Sequence, residues 1–285
     1  MPADVDAVGH RVVHGGERFR EPVLLDDAVE RGLAALVELA PLHNRPALEA
    51  IDRARSALPD IPHVAVFDTA FHATIPPEAA TYALPTRFRE EHGIRRFGFH
   101  GLAVQWASEQ VPVARLVVCH LGGGCSVTAV KDGRSIDTTM GFSPLEGVPM
   151  ATRAGSVDPG ALLHLLRHGV TVDELDDALE HESGLLGLSG TSGRVEELEA
   201  SADPAARLAL HVFTYRVATA VGSMAAALGG LDALVFTGGV GENSHGVRER
   251  VCEQLGDLVA SARVEVVHAR EDVVVAREVL GLLGR

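Results

Sequence analysis

Two glycine-rich segments, each at the carboxyl end of an apolar run, limit what this chain can fold into more than any other feature. In the first, Leu116-Val117-Val118-Cys119 runs into His120-Leu121-Gly122-Gly123-Gly124-Cys125-Ser126. In the second, Ala233-Leu234-Val235-Phe236 runs into Thr237-Gly238-Gly239-Val240-Gly241-Glu242-Asn243 and then a helical segment, Gly246 to Leu255. After the first, the chain returns as a strand, Ser126 to Val130, turns over Lys131-Asp132-Gly133 and continues as a third strand. Glycines between strands let backbone N–H groups approach a polyanion without a Cβ in the way. A single turn of this kind is an ordinary tight hairpin. Two of them, at the ends of two buried-type strands, are what a nucleotide site between strand ends requires. The first is not a Walker loop, because no Gly-Lys-Ser/Thr and no helix follow it.

At 285 residues the chain has room for about two domains and a substantial core. The formal net charge of −14 argues against nucleic acid and against anionic membranes as partners, since both select basic surfaces. An anionic substrate must then be received by a few local cations. Cys119, Cys125 and Cys252 show no metal-ligand spacing and read as reduced thiols of a cytoplasmic protein. No apolar run reaches the roughly 20 residues of a membrane helix. The first residues carry no export pattern, which again predicts a cytoplasmic protein.

Periodicity predicts strands over Val5 to Val13, His63 to Asp68, Leu234 to Phe236 and Val264 to Val267, besides the hairpin. Helices are expected over Asp26 to Leu36, with Asp26 or Asp27 as N-cap, and over Arg45 to Leu58, with Pro46 in the first turn. Further helices are expected over Thr86 to His92, Leu102 to Gln110, Pro159 to His168, Val172 to His181, Pro204 to Leu228 and Glu271 to Leu283. Clustered strands alternating with helices indicate an α/β fold with mixed sheets.

Eight segments taken together resemble the acetate kinase family, which shares the actin-like ATPase (ribonuclease H-like) fold. They are Gly9 to Glu17, Leu39 to Asn44, Val66 to His72, Arg95 to Gly101, His120 to Ser126, Asp137 to Gly147, Thr152 to Gly160 and Phe236 to Asn243. The resemblance spans the chain in order. It implies two lobes, residues 1–72 plus 273–285 and residues 73–272, the second carrying nucleotide binding and a homodimer interface. It implies reversible transfer of the γ-phosphoryl of ATP to a short-chain carboxylate, acetate first, with Mg²⁺ or Mn²⁺. Propionate or butyrate kinase, or an inactive nucleotide-binding relative, are the alternatives.

The same resemblance implies roles for single residues. Arg11 and Arg153 match the two active-site arginines, suited to the negative charge that spreads where a carboxylate meets a phosphate. His100 matches the histidine that steadies the phosphoryl group, and Asp68 the acidic residue that acts at the metal–phosphate centre or orients the carboxylate. His120, Leu121 and Gly122 to Gly124 match the phosphate hairpin; Gly239, Val240, Gly241, Glu242 and Asn243 match the second nucleotide loop. Arg194, in Thr191 to Arg194, lies where adenosine is contacted, and Glu271 matches a metal-binding carboxylate. Val13, Leu42, Phe99 and Pro144 match the apolar pocket for the acyl methyl.

Three departures from the family pattern stand out. Gly123 replaces an Asn in the hairpin. The segment before Arg194 lacks an acidic residue. The family's opening strand, with its Asn-Ala-Gly-Ser-Ser-Ser-x-Lys type hairpin, would precede Met1. From the last we expect an incomplete first lobe with an unpaired strand edge, either because the gene product begins upstream or because this is a repurposed relative.

Overall fold

The computed structural model describes residues 5–37 and 41–284, without the side chains of residues 41–43. Short β-branched runs build two sheets. In the first, β1 (Val8–Val12), β2 (Val23–Leu24) and β3 (His63–Phe67) lie in the order β1-β3-β2. The fully buried run of β3 takes the centre, parallel to β1 and antiparallel to β2. The parallel register sets Val12 opposite Phe67, and the Asp68 N–H continues the ladder to the Val12 carbonyl. Arg11 and Asp68 thereby emerge side by side.

The second sheet contains β4 (Arg115–Leu121), β5 (Cys125–Lys131), β6 (Arg134–Thr138), β7 (Ala233–Thr237) and β8 (Arg263–Val266), in the order β6-β5-β4-β7-β8. The first three form an antiparallel meander; β4, β7 and β8 run parallel. Parallel neighbours need a long crossover, and the helix Pro204–Leu228 helps supply it. Asp203 caps that helix by accepting from the Ala205 N–H, and a face including Leu210, Phe213, Val217 and Val221 is buried in the core beside β5 and β4. Because β4 and β7 are adjacent and parallel, with His120 opposite Thr237, both glycine segments leave the same edge of the sheet. The helix Glu271–Leu282 packs on β1, β3 and the helix Gly101–Gln110, burying Val274 and Val279.

Several expected boundaries shift. β1 is shorter than Val5 to Val13. The helix expected from Arg45 runs over Pro41–Ala57, so Pro46 lies inside it rather than in its first turn. The segment Val172 to His181 is a helix only to Asp177, then a wider π turn over Ala178–Glu182. The second glycine segment is not an open loop: Gly238–Asn243 is a short helix, entered through Gly238 at φ +79°. Asp26 does cap the helix Asp27–Ala34, accepting from the Val29 N–H. Among the described residues, no helix is long and apolar enough to cross a membrane.

Candidate active site

The carboxylate of Asp68, 1% exposed, accepts two hydrogen bonds from Arg11, at 2.8 and 2.6 Å. Arg11 Nη1 also lies 3.1 Å from Glu271 Oε2. A β1 guanidinium is thus shared by a carboxylate from the end of β3 and one from the first turn of a helix. Burial works against the Arg11 charge, but the hydrogen bonds and charge of Asp68, then the charge of Glu271, outweigh it and raise its pKa. Burial pushes both carboxyls above their ordinary values, while Arg11 pulls each of them back.

His100 sits at φ +59°, the left-handed region that non-glycine residues rarely adopt, at the start of the helix Gly101–Gln110. Its neighbour explains the geometry. The Gly101 N–H donates to the Asp68 carbonyl at 2.9 Å, and a Cβ on Gly101 would lie 2.1 Å from that oxygen. Only glycine allows so close an approach, and it ties the His100 turn to the Asp68 strand end. His100 Nδ1 lies 3.0 Å from the Ser126 hydroxyl, and its ring lies 4.4 Å from that of His120, tilted by 35°. A Cβ on Gly124 would lie 3.2 Å from His100 Nε2 and 3.5 Å from Arg153 Nη1, so these two groups converge on the hairpin. Arg153 is oriented by Glu180, Nε to Oε2 at 3.0 Å.

The glycine hairpin closes through the Gly122 N–H to the Gly124 carbonyl, and a Cβ on Gly122 would lie 3.8 Å from the Gly239 nitrogen. The two glycine segments therefore face each other. Between them opens a cavity of about 630 Å³, lined by Gly122, Gly123, Ala151, Gly193, Arg194, Gly239, Val240 and Asn243, with Glu196 and Glu199 at its wall. That composition fits a nucleotide: bare backbone for phosphates and a guanidinium at the far side. A larger cavity of about 780 Å³, lined partly by Arg96, Glu182 and Arg216, holds none of the expected site residues. Burial, and then the charge of Arg11, push His120 down to about 4. His120 Nδ1 and Thr237 Oγ1 are buried without hydrogen-bond partners.

Other expected residues fall differently. Leu121 is buried core, and a Cβ on Gly241 would contact Phe236, so both shape the segments instead of lining the cavity. The Glu242 carboxylate accepts from the Gly238 and Ala269 N–H groups and pairs with His268, facing away from the cavity. Arg194 is 69% exposed and pairs with Glu196 and Glu197. Val13 packs on the core cluster that contains Phe99, and Pro144 is buried. The Leu42 side chain lies outside the described residues.

The sequence reading missed Glu180, Ser126 and His72. His72 is buried between the Ser135 hydroxyl and the Phe99 carbonyl, each at 2.8 Å, and so fixes the backbone before His100. Glu180 lies in a segment expected only as the helix Val172 to His181, with nothing to set it apart from the other carboxylates there. Nothing in the spacing of Ser126 or His72 marked a partner.

The sequence pattern of the acetokinase family matches residues 1–278. The acetate kinase of Nostoc punctiforme is 44% identical over 96% of this chain and 76% of its own length. The crystal structure of a propionate kinase from Francisella tularensis superposes with a TM-score of 0.91 at 39% identity, covering 96% of this chain and 78% of that one. For Porphyromonas gingivalis acetate kinase the TM-score is 0.93 at 36% identity, covering 99% and 79%. The fold is the actin-like ATPase fold, and the enzyme class is that of the carboxylate kinases. The chain belongs to the acetokinase family.

Proposed function

We propose that the chain transfers the γ-phosphoryl of ATP to acetate, reversibly, giving acetyl phosphate and ADP. The observation that supports this reading best is the meeting of His100 Nε2, Arg153 Nη1 and the hairpin backbone at Gly124, beside the Arg11–Asp68 pair. Phosphoryl transfer asks little covalent chemistry of a protein; it needs reactants in line and charge neutralised. Gly122 to Gly124 and Gly239 would cradle the phosphates and Arg194 the nucleoside end. Arg153 and His100 would meet the γ-phosphoryl oxygens, Arg11 the carboxylate, and Val13, Phe99 and Pro144 the methyl group. Mg²⁺ takes few protein carboxylates and several phosphate and water oxygens, and the half-buried Glu271 beside the cleft suits that role. Bound there, it would neutralise triphosphate charge.

Division into lobes of residues 1–72 plus 273–285 and of 73–272 is part of the proposal. It places Arg11 and Asp68 on one side and the hairpin on the other, so that closure would exclude water. A homodimer fits the exposed Leu163, Val172, Leu208 and Tyr215, all outside the cleft, and a cytoplasmic location is part of the same proposal.

Incubation with ATP, Mg²⁺, acetate and hydroxylamine should yield acetohydroxamate in proportion to ADP. No product from acetate, propionate or butyrate would reject the assignment. The acyl pocket can be tested separately. Val13→Ala should raise kcat/KM for propionate relative to acetate by about tenfold, the worth of a methylene in such a pocket. An unchanged ratio would remove Val13 from the pocket.

A further inference from the structure

We infer that Ser126 is a positioning residue: its hydroxyl donates to His100 Nδ1 and so fixes the imidazole as the tautomer with its N–H on Nε2, aimed at the transferring phosphoryl group. The inference rests on the phosphotransferase reading above for what Nε2 faces, but not for the tautomer itself.

The first observation is hydroxyl accounting. Ser126 is fully buried on β5, and its 3.0 Å contact with His100 Nδ1 is the only hydrogen bond its side chain makes among the described residues. If Nδ1 carried the proton and donated to Oγ, the serine proton would be buried with nowhere to go. An unmet buried donor is destabilising. With Nδ1 as acceptor the hydroxyl is satisfied, and the proton of a neutral imidazole falls on Nε2.

The second observation is a parallel pair in the same chain. His72 Nε2 lies 2.8 Å from the Phe99 carbonyl, which can only accept, so Nε2 of a neutral His72 carries the hydrogen. His72 Nδ1 must then accept from the Ser135 hydroxyl at 2.8 Å. The two serines hold two histidines of adjacent segments in the same way. One imidazole donates into the backbone just before His100; the other points its donor at the hairpin.

The third observation is direction. Nε2 of His100 shares the space over Gly124 with Arg153 Nη1. Burial, followed by the charges of His120, Arg11, Arg153 and His72, holds the His100 pKa well below its ordinary value. The ring is therefore neutral, and only the Nε2–H tautomer gives it anything to donate to an anionic phosphoryl oxygen. The opposite tautomer would offer that oxygen a lone pair. Ser126 thus decides whether His100 attracts or repels the group it faces.

Protein labelled with ¹⁵N-histidine reports the tautomer directly through the two-bond couplings of the ring, without substrate. The expected spectrum for His100 shows a protonated Nε2 and an acceptor-type, hydrogen-bonded Nδ1. In Ser126→Ala the Nδ1 signal should lose its hydrogen-bond shift. Its kcat should fall about tenfold, the worth of one net hydrogen bond, with KM for ATP and acetate within about twofold of wild type; Ser126→Thr, which keeps the hydroxyl, should recover most of kcat. A protonated Nδ1 in the wild-type protein overturns the inference, as does a Ser126→Ala kcat within about twofold of wild type where His100→Ala itself loses activity. If instead His100→Ala retains full activity while the tautomer is as expected, the reading of the phosphoryl site fails and the role of Ser126 in fixing the tautomer stands. The wild-type spectrum decides the tautomer even where a variant does not fold.

Discussion

Arg153→Ala is expected to lower kcat by about three orders of magnitude while leaving the fold intact. An arginine that meets the developing charge in phosphoryl transfer is worth about 10³ to 10⁵ in rate. Arg153 has the position and the support for that role: Nη1 at the hairpin beside His100 Nε2, and Nε held 3.0 Å from Glu180. Its side chain is 17% exposed, so its field is weakly screened. Arg153→Lys should recover little, because a point charge cannot hold Glu180 with one nitrogen and reach the phosphoryl group with another. Loss concentrated in kcat, with KM for ATP nearly unchanged, would mark an interaction made mainly in the transition state. A variant retaining more than a tenth of wild-type kcat would remove Arg153 from the reacting centre. Circular dichroism and a urea midpoint close to wild type would show that the loss is chemical and not structural.

Much of this site could be read from the sequence because the fold brings strand ends together, and strand ends are marked by glycine. The alternation of apolar runs and glycines gave β4 and β7, and a rule about where α/β proteins bind ligands gave the cleft. Helix ends were legible where a cap residue announces them, as at Asp26. What stayed hidden was decided by side-chain contacts and helix bounds, local or distant, that the pattern of apolar residues and glycines does not show. Gly238–Asn243 is helical although glycine is a poor helix former. Its ends are held by Glu242 accepting from the Gly238 N–H and by Asn243 donating to the Gly239 carbonyl. Pro46 sits inside a helix because the helix begins at Pro41, a full turn earlier than its pattern suggested. Glu180 reaches Arg153 only because a π turn redirects the end of the preceding helix. Ser126 gains its meaning from a histidine 26 positions away. Expected role and observed contact part company most clearly at Glu242, whose carboxylate ties two backbone segments together instead of facing the cavity between the glycine segments.

Below pH 6.5 the protein should lose stability steeply and unfold before pH 4, a result of how many imidazoles the fold buries uncharged. His10, His14 and His72 are at most 9% exposed, and burial pushes each down to about 4, as it does His120, while His100 is held well below its ordinary value. His10 is lowered further by facing His63, 3.0 Å away; His14 and His72 are set against the aromatic rings of Phe97 and Phe71. The sign follows from proton counting. A histidine whose folded pKa lies below its unfolded value binds fewer protons in the folded state, so stability is complete above about 6.5 and falls as the pH drops toward 4. Each such group removes about 1.4 kcal/mol per pH unit within that window. The five together give a slope of about 6 kcal/mol per unit near pH 5, which would exhaust the ~5–15 kcal/mol stability of a typical domain before pH 4. Asp68 and Glu271 act in the opposite sense, since burial raises their folded pKa values and they take up protons more readily when folded. Their ordinary values of 3.8 and 4.5 place the unfolded reference low, so the histidines dominate from pH 6.5 to 5.5. Urea denaturation at half-unit steps from pH 7.5 to 5.0 gives the slope, and with it the number of protons taken up on unfolding. About four protons near pH 5 are expected. Stability flat down to pH 5 would mean that these rings are solvated or charged in the folded protein, and with that the buried packing around His10, His14 and His72 would have to be abandoned.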